Sequence, residues 1–146
     1  MPSTAIRYTD VWTDPVAAGR MVAGIDIPTG NAVTTWYHAT SSKLTDGEPL
    51  LVVDGDRRGP VINTVAISNA APEYAPVGTT LVSSSVLGAD DSAEAELAVR
   101  HHLARLHGID TAGWTLVRSY AIPYALPSML PPFSSAVMPP VAFMSP

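Results

Sequence analysis

The stretch V-I-N-T-V-A-I-S-N-A-A-P-E-Y-A-P-V-G-T-T-L-V-S-S-S-V-L, from Val61 to Leu87, decides the fold of this chain. Two runs rich in apolar and β-branched residues, Val61 to Ser68 and Thr79 to Leu87, flank a connection that contains Pro72 and Pro76. These prolines cannot continue a central strand, so the chain turns between the two runs. We therefore expect a pair of strands at the heart of a sheet.

The second run alternates between two kinds of side chain, as a strand with two different faces does. One face carries Leu81, Ser83, Ser85 and Leu87, and the other carries Val82, Ser84 and Val86. Small hydroxyl side chains inside a sheet can line a cavity, or they can form the solvated face of an antiparallel sheet. The pattern leaves both interpretations open.

Further strands are expected on both sides of this pair. Ala32 to Ala39 is rich in β-branched and aromatic residues. Pro49 to Asp54 is expected to pair antiparallel with Val61 to Ser68 through the loop Gly55 to Gly59, whose length suits a hairpin. The glycines and arginines of that loop could also cradle an anion through backbone N–H groups. Two more runs are strand-like, Ile6 to Trp12 and Trp114 to Ile122.

Two helices are expected, one short and one long. Asp14 and Pro15 suit the start of a short helix that reaches Val22 and ends at Gly24. The long helix, Ser92 to His107, has a capping-box start at Asp91 and Glu94 and basic residues in its last turn. An apolar stripe follows helical spacing, and Gly108 is the expected residue after the last turn; the stripe consists of Ala95, Val99, Leu103 and Leu106.

These elements predict an α+β fold, with a mainly antiparallel sheet of four to six strands. One long helix packs on a face of the sheet, and a short helix lies near the N-terminus. Residues 1–126 are expected to form a single domain. Residues 127–146 are expected to form a proline-rich tail that is extended rather than helical.

Composition excludes several classes of function. Only 14% of the 146 residues are charged, the net charge is −5, and the eight Lys and Arg residues are scattered. Nucleic acids and anionic membranes need a concentrated basic face, so neither is an expected partner. The chain contains no cysteine, no apolar run long enough to span a membrane and no secretory signal pattern, so we expect a cytoplasmic protein.

The central stretch also resembles a known family. The run S-N-A-A-P-E-Y-A-P-V-G, from Ser68 to Gly78, with V-I-N-T before it and L-V-S-S-S-V-L-G after it, is similar to the substrate-domain core of bacterial FAD-dependent amine oxidase and phytoene desaturase-like oxidoreductases. The similarity extends from about Asp10 to about Pro132, where I-P-Y-A-L-P (Ile122 to Pro127) matches a family segment that leads toward the flavin. The chain corresponds to a fragment of the family's length.

The resemblance implies a truncated or split oxidoreductase that retains the substrate-binding portion and is inactive alone. FAD is implied for full-length relatives, but this chain lacks the dinucleotide fingerprint, since G-R-M-V-A-G (Gly19 to Gly24) has the wrong glycine spacing. We therefore expect no cofactor in this chain alone. Its expected partner is a missing FAD-binding portion or a second copy of itself. The alternative is a stand-alone binding or homo-oligomeric module without catalytic activity.

The resemblance also raises a pocket hypothesis for the aromatic residues in and beside the strands. Such side chains are usually core, but a substrate-domain sheet lies over the flavin ring. The substrate-pocket candidates are Trp36, Tyr37, Tyr120 and Tyr124, with Tyr74 and Trp114 as further members. No residue matches a cofactor-contacting motif of the family, so no catalytic or cofactor-binding residue is assigned.

Metal binding and nucleophilic catalysis are not expected. No two histidines are three or four positions apart, as a helical metal site requires; they are His38, His101, His102 and His107. No serine stands in a G-x-S-x-G elbow. The paired carboxylates near residue 91 are typical of a helix start.

Overall fold

The structure of the protein is a computed structural model that describes residues 15–21, 27 and 29–128. A unit spanning Gly30–Pro127 contains the sheet, and the short helix α1 belongs to a separate unit. In chain order the elements are α1 (Pro15–Met21), β1 (Gly30–Thr40), a 3₁₀ turn (Thr45–Gly47), β2 (Leu51–Val53), β3 (Val61–Ala66), α2 (Ile67–Ala70), a second 3₁₀ turn (Pro72–Tyr74), β4 (Thr80–Leu87), α3 (Ala93–His107) and β5 (Thr115–Pro127).

The expected α+β fold is confirmed. The five strands form one antiparallel sheet in the order β2-β3-β4-β1-β5, and α3 is the one longer helix among the described residues. The β2–β3 hairpin forms as predicted, and the pair β3 and β4 lies within the sheet. The predicted strand Ile6 to Trp12, the helix end at Gly24 and the tail beyond Ser128 lie outside the described residues.

One predicted strand is shorter than expected. The run that starts at Val61 leaves the sheet after Ala66, and Ile67–Ala70 forms a helical turn. Two side chains hold this turn in place: Ser68 Oγ accepts the backbone N–H of Leu81, and the Asn69 amide donates to three oxygens of the segment Leu44–Glu48. Polar side chains of this kind compete with a strand ladder for backbone groups. The turn therefore replaces the last two residues of the expected strand.

The last strand is longer than expected. It continues beyond Ile122 through Pro123 to Pro127 and pairs with β1 as far as Gly30. A proline is tolerated here because β5 pairs with only one neighbour among the described strands.

The ends of α3 follow the signals in the sequence with one shift. Ser92, rather than Asp91, caps the helix, and its Oγ accepts the backbone N–H of Ala95. Gly108 adopts the left-handed conformation, with φ of 65°, that closes the last turn.

The core lies between α3 and one face of the sheet, which we call the inner face. Val99 and Leu103 of the predicted helical stripe are buried, and Ala95 and Leu106 pack at the margin. The remaining buried apolar side chains come from the strands and the loops beside them: Trp36, Leu44, Val61, Ala66, Val82 and Trp114. None of the described helices is long and apolar enough to cross a membrane.

Candidate functional site: the outer face of the sheet

The face of the sheet opposite α3, which we call the outer face, differs in character from the inner face. None of its side chains is fully buried. The strand registers place the following residues on it: Val33, Thr35, Tyr37 and Ala39 of β1; Leu51 and Val53 of β2; Asn63 and Val65 of β3; Leu81, Ser83, Ser85 and Leu87 of β4; and Arg118, Tyr120 and Ile122 of β5.

Small polar side chains occupy the middle of the outer face. One row across the sheet runs Val53, Asn63, Ser85, Thr35, Tyr120, so that a polar centre is bounded by an apolar and an aromatic residue. The neighbouring row runs Leu51, Val65, Ser83, Tyr37, Arg118, so that a single hydroxyl lies between an apolar and an aromatic residue and the row ends in a charge. The hydroxyl-bearing side chains therefore lie at the centre of the face, with larger side chains on both sides.

The apolar margins of the outer face are open to solvent. Leu51 and Val53 on one side are 61% and 62% exposed, and Tyr120 and Ile122 on the other are 51% and 44% exposed. Exposed apolar side chains that flank a polar centre are typical of a surface that binds a partly apolar ligand or partner.

Three of the four pocket candidates divide between the two faces of the sheet. Tyr37 and Tyr120 lie together on the outer face, with ring centroids 6.0 Å apart and an edge-to-face angle of 87°. The guanidinium of Arg118 lies 5.6 Å from the centroid of the Tyr120 ring. Trp36 points to the inner face, where it is 1% exposed in the core, because it is the neighbour of Tyr37 along a strand. It therefore does not share a surface with the two tyrosines.

The remaining aromatic candidates lie away from the centre of the outer face. The Tyr124 ring packs directly against Gly30, where any larger residue would collide with it. Tyr74 lies on the connection between β3 and β4 and is 62% exposed, whereas Trp114 is buried in the core. Of the predicted aromatic residues, the structure thus brings Tyr37 and Tyr120 together on the outer face, whereas Trp36 and Trp114 belong to the core.

The loop between β2 and β3 does not offer the anion cradle considered above, because its own carboxylate fills it. Asp54 accepts the backbone N–H groups of Asp56 at 3.1 Å and Arg58 at 2.8 Å. Desolvation acts to raise the pKa of Asp54, but these N–H groups and the nearby His102 lower it overall. An open depression of about 570 Å³ lies beside the loop and is bounded by Val53, Val61 and Leu87 among others.

A buried charged cluster on the inner face was not predicted. Glu96 of α3 accepts a hydrogen bond from His38 Nε2 at 3.0 Å and lies 2.8 Å from Arg100 Nε. Arg100 also donates to the carbonyl of Trp114 at 2.8 Å. The spacing of Glu96 and Arg100, one helical turn apart, is the sequence signal for half of this cluster. The position of His38 in the cluster follows from the alternation of side chains along β1, which places His38 on the face that packs against α3.

Burial controls the protonation of the histidines near this cluster. Desolvation lowers the pKa of His38, although Glu96 acts to raise it. Desolvation also lowers the pKa of His107, which lies with its ring 6.4 Å from that of Trp114. The His38 ring lies 6.0 Å from the same tryptophan. Both rings therefore favour the neutral form at pH 7; His38 is a buried residue of the inner face, and His107 is a half-buried residue at the end of α3.

The described residues provide no metal site, since nowhere do three His, Cys, Asp or Glu side chains gather as ligands. They also offer a poor fit for the pyrophosphate of FAD. The first turn of α3 carries Glu94 and Glu96, which repel an anion, and the loop N–H groups are taken by Asp54.

Comparison of the chain with family models and with curated proteins finds no match. The resemblance to FAD-dependent oxidoreductases therefore rests on the residues quoted above.

Proposed function

We propose that this chain is the substrate-binding portion of a truncated or split FAD-dependent amine oxidase-like oxidoreductase. The outer face of the sheet is the surface that faces substrate and flavin. The observation that carries the proposal is the arrangement of this face, a hydroxyl-bearing centre between apolar and aromatic margins. The residues that resemble the family lie on β3, on β4 and on the connection between them.

In this proposal the chain contributes a wall of the substrate site. The Tyr37 and Tyr120 pair offers ring edges and faces to an apolar substrate group, and Ser85 and Thr35 offer hydrogen bonds to a polar group. The redox chemistry belongs to the flavin, which a separate FAD-binding portion holds, since the described residues do not fit its pyrophosphate. No residue of this chain is assigned a catalytic role.

The DNA on either side of the reading frame tests this proposal. We expect an upstream segment that encodes a strand followed by G-x-G-x-x-G. We also expect a downstream segment with a Gly-Asp pair, which contacts the cofactor in the family that the chain resembles. The chain co-produced with those segments should retain the yellow flavin, and the chain alone should not. Unrelated flanking segments, or stoichiometric flavin on the chain alone, would contradict the proposal.

A second candidate function is a homo-oligomeric interaction module. The observation that favours it is the exposed edge of β5, which carries little charge. Among the described strands β5 pairs only with β1, and its one charged residue is Arg118. Four apolar or aromatic side chains of β5 are exposed: Leu116 and Val117 by 42% and 55%, and Tyr120 and Ile122 as given above. An edge strand with so little charge invites pairing with another strand.

The sequence of β5 suits pairing with a second copy of itself. If two β5 strands pair antiparallel about Ser119, Arg118 of one copy lies opposite Tyr120 of the other. That arrangement places a cation against an aromatic ring and keeps the two arginines apart. Closed two-fold dimers are the commonest assemblies of this kind.

Sedimentation at micromolar concentration distinguishes the second candidate. The wild-type chain should sediment as a dimer, and Val117→Lys should shift it to a monomer by placing a charge on the edge. Val77→Lys is the control, because Val77 is fully exposed on the connection between β3 and β4. A monomeric wild-type chain would exclude the homo-oligomeric module and leave the first proposal standing.

A further inference from the structure

His102 of α3 joins the helix to the β2–β3 hairpin, and its contacts assign both ring nitrogens. The backbone N–H of Val61 donates to Nδ1 at 3.0 Å, so Nδ1 carries no proton. The ring proton is therefore on Nε2, which lies 3.1 Å from Asp54 Oδ2. A neutral ring in a single tautomer links the helix, the first residue of β3 and the hairpin loop.

The ring is enclosed on every side by this arrangement. The side chains of His102 and Asp54 are 2% and 7% exposed. The ring also packs against Gly59, where a Cβ atom would collide with it. The imidazole therefore cannot leave its position unless the loop of residues 54–60 moves away from α3.

Two charged groups act on the ring, one on the hairpin loop and one on α3 itself. Asp54 on the hairpin loop is anchored by the backbone N–H groups of Asp56 and Arg58. Arg105 on α3 donates to the carbonyl of Arg58 at 3.0 Å and also ties the loop to the helix. Burial lowers the pKa of His102 below 6.5; Asp54 acts against this effect, and Arg105 adds to it.

We propose that His102 is a proton-sensitive latch that releases the β2–β3 hairpin from α3 on acidification. A doubly protonated imidazole has no acceptor left, so its Nδ1–H would point directly at the N–H of Val61. The folded contact is possible only for the neutral ring. Opening of the hairpin frees the ring to take up the proton, so a fall in pH favours the open state.

Opening of the hairpin also affects the outer face, because the hairpin carries one of the two apolar margins of that face. Leu51 and Val53 belong to β2 and move with the hairpin when the latch opens. Acid therefore loosens that margin, whatever ligand or partner the face binds. This inference does not depend on the proposed function.

Amide hydrogen exchange of Val61 tests the latch at two pH values on either side of the ordinary histidine pKa of 6.5. Between about pH 7.5 and pH 5.5, the opening equilibrium at Val61 should rise about tenfold after correction for the intrinsic exchange rate. The amide of Val82, in the centre of the sheet, reports global unfolding, and its opening equilibrium should stay well below that of Val61 at both pH values. An unchanged Val61 equilibrium, or a Val61 equilibrium no larger than that of Val82, would overturn the proposal.

The matched variant is His102→Asn, whose side-chain oxygen can still accept the Val61 N–H but cannot be protonated in this range. Its Val61 opening should change less than twofold over the same interval, and a tenfold rise would overturn the latch. Nitrogen NMR of the wild-type ring gives a second measurement that needs no variant. The account requires the proton on Nε2 at neutral pH, and a proton on Nδ1 would contradict it.

Discussion

The two faces of the sheet use neighbouring residues of the same strands in opposite ways. On the inner face, polar groups are buried and paired inside the protein, as Thr64 with Ser84 at 3.0 Å and His38 with Glu96 at 3.0 Å. On the outer face, the hydroxyls of Thr35, Ser83 and Ser85 lie partly exposed between apolar margins. The inner face holds the fold together, and the outer face can change with little cost to it.

The largest expected effect comes from a charge on the inner face. Val82→Asp places a carboxylate at a side chain that is 0% exposed in the centre of the core, without a cationic partner. The cost should be several kcal/mol, roughly the whole stability of a small domain, so the variant should not fold. The control is Ser83→Asp, one residue along the same strand on the outer face, which should remain folded. Circular dichroism and soluble yield measure both, and a folded Val82→Asp variant would contradict the assignment of the faces.

The next largest loss of stability is expected in the charged cluster of Glu96, His38 and Arg100. Glu96→Gln removes the carboxylate that lies against both His38 and Arg100, and it leaves the guanidinium only carbonyl partners. The free energy of unfolding should fall by about 1 to 3 kcal/mol, because the guanidinium of Arg100, which is 25% exposed, loses its counter-charge. Glu94→Gln, in the exposed first turn of the same helix, should change it by about 0.5 kcal/mol or less. Chemical denaturation compares the two, and equal losses would show that Glu96 is not part of a buried cluster.

Acid should weaken the fold from its inner face. Burial lowers the pKa of His38, His102 and His107 below 6.5, so the unfolded chain takes up these protons before the folded chain does. Stability is therefore full above pH 6.5 and is lost as pH falls below it, by about 1.4 kcal/mol per pH unit for each proton. Denaturation between pH 7.5 and pH 5.5 measures the slope. Stability that rises as the pH falls would contradict the burial of these rings.

The smallest effect is expected from the aromatic pair on the outer face. Tyr120→Ala removes the edge-to-face contact with Tyr37 and should cost about 0.5 to 1.5 kcal/mol. Tyr74→Ala is the control, because this side chain is also more than half exposed and lies outside the sheet. Thermal melting compares the stability of the Tyr120→Ala and Tyr74→Ala variants. A loss of several kcal/mol at Tyr120 would mean that the outer face also holds the fold together.

Local patterns in the sequence predicted the fold well, because they report directly on local structure. The alternation from Leu81 to Leu87 assigned both faces of β4 correctly, and the apolar stripe of α3 identified Val99 and Leu103 as core. The early end of β3 was missed, since Asn69 stabilises the turn through contacts with the segment before β2. That contact depends on residues more than twenty positions away, which no local pattern records.

The candidate site was predicted only in part for the same reason. Alternation along β1 already implies that Trp36 and Tyr37 point to opposite faces, so only one of them can line the outer surface. The pairing of Tyr37 with Tyr120 depends on the register of β1 and β5, which includes two irregularities. The contacts of Glu96 with His38 and of His102 with Val61 join distant segments and required the structure.

The central claim is that the outer face forms a wall of an oxidoreductase substrate site, and one substitution tests it most directly. Ser85→Trp fills the hydroxyl-bearing centre of the outer face between Asn63 and Thr35. Amine oxidation is measured for the chain co-produced with the FAD-binding portion that the proposal expects in the flanking DNA. We expect Ser85→Trp to lower turnover at least about tenfold, with flavin content and melting temperature unchanged, because the bulky ring blocks the substrate and not the fold. Unchanged turnover in a flavin-loaded Ser85→Trp complex would contradict the claim.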